Sequence, residues 1–311
     1  MDYAWDCATV AAMSVRSICL NHRSGYFAAL IVVCCWSGFN IVSRLGGRSE
    51  LTPFDMAALR FGVAGLLMSP LFIRVLRDID RSRLLQYSVV AFFGSLGYAL
   101  AVYTGFSFAP AAHAGVLVNG GIPFLTALIA WLALGQKPQG RSALALTIAL
   151  AGIAMIGLQS FTHLDAGSRQ WVGDLCFLYG ALSWAIAGLL MRRWQLQPID
   201  TTAMMVGLSA VIYLPVYLLF LPKQLAAVPV DALLLQGVYQ GVIAATLAGI
   251  FYNHANHTIG PHKASLMLAL VPGITAVAAV PLLGESLTLF AMGGVLLVTF
   301  GAVLGAIQKA P

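Results

Sequence analysis

Charged side chains are scarce in this chain: they make up 9% of its 311 residues, while 60% are hydrophobic. An ordinary soluble domain carries about 25% charged residues, so too few remain to cover a water-soluble globule of this size. The five cysteines form neither a metal-ligand spacing nor a disulfide framework, and Cys34, Cys35 and Cys176 lie inside apolar runs as small packing residues. No Gly-x-x-x-x-Gly-Lys-[Ser/Thr] loop is present, which argues against ATP-driven pumping. The run FGSLG at 93–97 resembles a nucleophile elbow only faintly, since Phe93 stands where the first glycine is required. Asn253, His254, Asn256 and His257 put two histidines one helical turn apart, but no acid or third histidine can be placed beside them to complete a metal site. Neither a metal, a cofactor nor enzymatic activity is expected.

What the chain has instead is ten apolar stretches, at about 26–44, 54–74, 85–107, 112–134, 142–159, 171–191, 202–221, 233–254, 263–283 and 287–307. A helix needs roughly 20 such residues to cross the hydrocarbon core of a bilayer, so an all-α polytopic membrane protein is expected, with lipid as its solvent. Residues 1–25 carry Asp2 and Asp6 ahead of a short apolar patch, where a signal peptide would be positive, and read as a mobile tail. Lys and Arg collect in cytoplasmic connections. With ten spans, twelve of the 17 fall on the side of the tail and the even-numbered connections, four (Arg44, Arg48, Arg169, Lys223) fall on the other, and Arg60 lies within span 2. Both termini are therefore expected to be cytoplasmic. The net charge of +6 is mostly this loop bias, and no nucleic-acid partner is needed to explain it.

The chain also repeats itself. NGGIPFLTALIAWLALG at 119–135 and LALVPGITAVAAVPLLG at 268–284 share six identities in seventeen positions at an offset of 149, Pro123 on Pro272 among them. The same offset carries Gly152 onto Gly301 and Ala145 onto Gly294. Trp36 stands eight residues before Arg44, as Trp184 does before Arg192; Pro53 and Pro70 are seventeen apart, as are Pro198 and Pro215; Pro110 answers Pro261. Two five-span repeats are expected, at 26–159 and 171–307. Because five is odd, the second enters the membrane inverted. Inverted repeats suit alternating access around a midplane site, the alternative being that duplication only built a larger bundle.

On these features the chain resembles the EamA-type carriers of the drug/metabolite transporter superfamily, from about 26 to 307. The resemblance is carried by the five-plus-five plan, by CCWSGFNIVSRL in span 1, and by the runs ending LALGQK and PLLGES. In that family the run usually ends in Leu-Gly-Glu: Gly284-Glu285 fits, whereas Gly135-Gln136 departs by losing the acid. The resemblance implies a carrier in a bacterial inner (plasma) membrane, acting mostly as an exporter, with a central cavity formed mainly by spans 1, 3, 4, 6, 8 and 9. Amino acids, other metabolites and drugs are all handled by such carriers. An intramembrane enzyme or a receptor are the remote alternatives.

Polar side chains inside membrane spans usually face a pathway or a helix contact. On an α-helical wheel Tyr239, Thr246, Asn253 and His257 of span 8 fall within about 40° of one another, which places them on the cavity wall, with His257 near the cytoplasmic end as part of an inner gate. Trp36, Asn40 and Ser43 share a face of span 1 in the same way. Tyr98 shares a face with Gly105 in span 3, and Tyr103 lies deeper. Pro123 and Pro272 lack an N–H, so the carbonyls of Asn119 and Leu268 lose their helical partners and make two symmetry-related weak points suited to ligand or gate. Trp36, Trp184, Tyr98, Tyr103, Tyr239 and Tyr252 form an aromatic set that would stack on flat ligands. None of the eleven acids lies deep in a span, whereas a proton-coupled carrier of cations generally needs a buried carboxylate. The expected small-molecule substrate is thus neutral or zwitterionic, aromatic or large neutral amino acids first. Gly301 and Gly305 suit close helix packing within the chain or a weak homodimer.

Overall fold

The computed structural model describes residues 22–138, 140–162 and 169–306, all helical or connecting, with no strand among them. Ten helical spans follow one another: α1 (His22–Gly47), α2 (Pro53–Asp78), α3 (Arg81–Phe108), α4 (Ala111–Ala133), α5 (Gly140–Thr162), α6 (Gln170–Arg193), α7 (Pro198–Phe220), α8 (Val230–Ile259), α9 (Pro261–Leu283) and α10 (Leu289–Ala306). Nine of them include a stretch long and apolar enough to cross a membrane, and α10 is a shorter apolar helix. The expected tail at 1–25 falls outside the described residues up to 21; α1 is already helical at His22.

Local chemistry sets the helix ends. Thr52 caps α2 with a reciprocal bond to Asp55, and Pro53 occupies the first turn, where its missing N–H costs nothing. α4 and α9 both stop at a glycine in the left-handed region, Gly135 at φ 68° and Gly284 at φ 65°, a conformation that favours glycine. The closing bonds are equivalent too: Gly135 N donates to the Trp131 carbonyl and Gln136 N to Ala130, as Gly284 N does to Val280 and Glu285 N to Ala279. Three spans contain wider π-helical turns: Phe92–Gly97 in α3, Gly115–Gly120 in α4 and Val238–Leu247 in α8. α9 breaks at residues 269–270, just ahead of Pro272.

The two repeats meet about a pseudo-twofold axis that glycine contacts make visible. A Cβ on Gly152 would stand 2.8 Å from the Gly294 carbonyl oxygen, and one on Gly301 would stand 2.8 Å from that of Ala145. Advancing 145 and 152 by 149 gives 294 and 301, so each contact is the image of the other, and α5 and α10 are symmetry mates pressed together. Across α2 and α7, a Cβ on Gly65 would lie 2.7 Å from that of Ala210, its own equivalent at the offset of 145 set by the prolines. Gly301 is thus spent on packing inside the chain. Gly301→Leu should force α5 and α10 apart and, as overpacking of a close contact, destabilise by about 1 to 3 kcal/mol; thermal unfolding in detergent checks this, and a Tm equal to wild type would contradict the contact.

Candidate functional site

A cavity of about 420 Å³ lies between the repeats. Trp36, Asn40, Tyr98, Asn119, Pro123, Trp184, Asn253 and Pro272 all line it, so most of the residues singled out in the sequence come together here. Its walls carry two aromatic pairs, each joining the repeats: Trp36 of α1 with Tyr252 of α8, centroids 5.5 Å apart, and Trp184 of α6 with Tyr98 of α3, 5.3 Å apart. The two pairs use equivalent helices. Between them Asn40 donates through Nδ2 to Asn119 Oδ1 at 3.3 Å and to Thr275 Oγ1 at 3.1 Å, tying α1 to α4 and α9.

Three expected residues stand away from the cavity lining. Tyr103 is fully buried and donates its hydroxyl to Gln240 Oε1 at 3.1 Å. Tyr239 packs its ring end over Gly38 and donates to the Cys35 carbonyl. Thr246 is buried and bonds back to the Gly241 carbonyl, five residues earlier. Tyr239 sits at the start of the π-helical stretch, whose i→i+5 turns rotate it off the face that a 3.6-residue period assigns relative to Asn253, while Thr246 sits at the far end of the stretch. Asn253, beyond that stretch, does reach the cavity. His257 lies in the last turns of α8, and its side chain is outside the described residues. His254 instead meets the Ser24 hydroxyl at 3.3 Å, and no cluster of three metal-ligating side chains occurs among the described residues.

α2 and α7 contribute more than the sequence suggested. Arg60 of α2 and Thr201, Thr202 and Met205 of α7 line the cavity, as do Val298 and Ala302 of α10. Arg60 is the only charged residue among the lining residues. Its Nε is buried with no hydrogen-bond partner, and its guanidinium carbon lies 5.7 Å from the centre of the Phe39 ring. The signal that could have found it was plain: it is the lone cation inside a span.

The two ends of the bundle differ sharply. At the end carrying few basic residues, Arg44 Nε donates to Glu285 Oε1 at 2.8 Å, Glu285 Oε2 accepts from Ala111 N at 2.9 Å, and Arg48 lies 3.7 Å from the same carboxylate. Asp174 joins buried His113 at 2.8 Å and the Ser160 hydroxyl. Asp55 is fully buried and accepts from Thr52, Tyr217 and Gln224. Charged groups out of water persist only with such partners.

Their equivalents at the opposite end are open. Offsets of 148, 145 and 149 relate Arg44 to Arg192, Asp55 to Asp200 and Gln136 to Glu285. Neither Arg192 nor Asp200 has an ion pair or a side-chain hydrogen bond among the described residues. Gln136 and Arg192 face a groove of about 1160 Å³, which shares Pro123, Met191, Pro198 and Thr201 with the central cavity. The cavity therefore reaches Pro198 at one end but not its counterpart Pro53 at the other.

Comparison with known proteins agrees with this architecture. The family model described as the EamA-like transporter family matches twice, over residues 23–158 and 171–306. The "Uncharacterized transporter YyaM" of Bacillus subtilis is 27% identical over 85% of this chain and 87% of its own length. The "Uncharacterized transporter YoaV" of the same organism is 25% identical over 87% and 92%, and an "Uncharacterized transporter" of Archaeoglobus fulgidus is 25% identical over 89% and 95%. One protein of known crystal structure shares the fold, with a TM-score of 0.60 at 18% identity over 91% of this chain and 96% of the other.

Proposed function

The chain belongs to the EamA-like transporter family, and from that premise we propose that it exports small amphipathic metabolites, foremost aromatic or large neutral amino acids, by alternating access. It is an integral membrane transporter; the substrate, the direction and the mechanism are the proposal. The observation that carries it is the one-sided cavity: a chamber between inverted repeats, bonded shut at the Arg44–Glu285 end and reaching Pro198 at the other. Exchanging the conformations of the two repeats would open Pro53 and close Pro198, which is how such folds move a bound solute without a through-channel. The open end carries the basic connections, so it faces the cytoplasm in the expected orientation, and a cytoplasm-facing chamber is the loading state of an exporter.

The expected result is flux of unmodified phenylalanine, tryptophan or leucine in proteoliposomes of purified protein, in either direction and without a proton gradient. A broad screen that found only organic cations exchanging with protons would sink the substrate reading. Orientation is checked separately on a cysteine-free background: an impermeant maleimide added outside cells should label Glu50→Cys and spare Asp78→Cys. The reverse pattern would turn the protein over.

A further inference from the structure

Arg60 has no counter-ion. The buried ionisable side chains are matched, Arg44 by Glu285, His113 by Asp174, and Asp55 by a tyrosine, a threonine and a backbone N–H, whereas Arg60 is half-buried with only its Nε fully enclosed. Arg60 forms no ion pair among the described residues, and no acid lines the cavity it faces. The Tyr103 hydroxyl, which donates to Gln240, is a neutral hydrogen-bond partner of the guanidinium and brings no counter-charge. A guanidinium held out of bulk water without an anion is unstable relative to one that is paired, and its planar fork is shaped to take two oxygens of a carboxylate at once. The Phe39 ring steadies the group.

The two halves sharpen this further. The position equivalent to Arg60, 145 residues on, is Met205, which also lines the cavity. Asn119 likewise corresponds to Leu268, again with both in the wall. At these matched places the first repeat supplies charge and amide, the second a thioether and an alkyl group. At these two matched places the wall is asymmetric, with the cation supplied by the first repeat alone.

We propose that Arg60 is the residue that binds the substrate's carboxylate, and that the transported class is amphipathic carboxylates for which an amino group is dispensable. This rests on the carrier reading above and deepens it. No carboxylate lines the cavity to pair with an ammonium, whereas losing the carboxylate leaves Arg60 without a counter-ion.

Isothermal titration of the full chain in lipid nanodiscs tests this with three probes on one skeleton: 3-phenylpropionate, phenylalanine and 2-phenylethylamine, with 4-methylpentanoate, leucine and isopentylamine as an aliphatic set. In wild type the two carboxylates of at least one set should bind comparably and the amine about 10- to 100-fold more weakly, the range expected for loss of a hydrogen-bonded charge. Arg60→Gln should weaken both carboxylates by a similar factor without changing the amine, and Arg60→Lys should recover part of the loss. Equal binding of amine and carboxylate, binding of the amino acids but not their deaminated acids, no binding of any carboxylate, or unchanged affinity in a monodisperse Arg60→Gln protein would each overturn the proposal. Flux separates the two levels: carboxylate binding without transport would defeat the carrier reading alone, whereas transport indifferent to Arg60 would defeat this site alone.

Discussion

Glu285→Ala should lower the stability of the folded transporter by about 3 to 5 kcal/mol, the usual consequence of removing one partner from a buried ion pair. The carboxylate takes Arg44 on one oxygen and the Ala111 N–H on the other, so a single deletion strands a buried guanidinium and a buried backbone donor together. Because α1, α4 and α9 meet at this carboxylate only while that end is shut, the loss falls on the closed arrangement. At about 1.4 kcal/mol per tenfold, even half of it would shift the ratio of states more than tenfold. Ala112 lies buried beside the cluster and makes a compact reporter. On a cysteine-free background, Ala112→Cys should resist an impermeant maleimide and become reactive once Glu285→Ala is added. Equal labelling in both backgrounds would mean that this ion pair does not hold the end closed.

Gln136→Glu should act in the opposite direction. Gln136 occupies the place of Glu285 in the first repeat, and Arg192 that of Arg44 in the second, with both facing the wide groove. When that end closes, symmetry brings them together as an amide and a cation, a weaker contact than the ion pair across the bilayer. Supplying the acid should strengthen the closed arrangement by about 1 to 2 kcal/mol, near the low end of coupling energies for close charge pairs. The Ala112→Cys reporter should then label roughly tenfold faster, and adding Arg192→Gln should cancel the gain. A reporter that ignores Gln136→Glu, or a gain that survives Arg192→Gln, would show that the two side chains do not meet.

Much of this architecture could be read from the sequence because repetition is a pattern of positions and tolerates change in the residues themselves. Gly152 and Gly301 are related by the repeat offset, and the structure puts them in contacts that a twofold rotation interchanges. Pro53 and Pro198 mark matching helix starts. The face of a single helix was harder to read. Trp36 and Asn40, on a regular α-helix, reach the cavity as the wheel places them, whereas Tyr239 does not, because a π-helical stretch changes the angle per residue and no composition rule announces it. Partners across the bundle were invisible as well. Tyr103 is taken up by Gln240, 137 residues away, and Asp55 by Tyr217, 162 away. Arg60 was legible as an oddity, a charge within a span; only its place in the cavity wall, with no acid there and no partner on its Nε, turns it into a candidate anchor.

An uncompensated charge at that depth also makes the protein sensitive to the electric field it sits in. The empty cavity is positive, and the cavity holding a monocarboxylate without an ammonium group is neutral. A membrane potential does work of about 2.3 kcal/mol per elementary charge per 100 mV on a charge that traverses the whole field, and proportionally less for a partial excursion. With the cytosol negative, the empty carrier is drawn toward its cytoplasm-facing form, while one loaded with such an anion turns over without electrical bias. The cell's resting voltage would thus return vacated carriers to where cargo is collected, with no coupling ion. A transient current from substrate-free protein on a capacitive membrane, absent in Arg60→Gln, is the electrical signature this arrangement should leave.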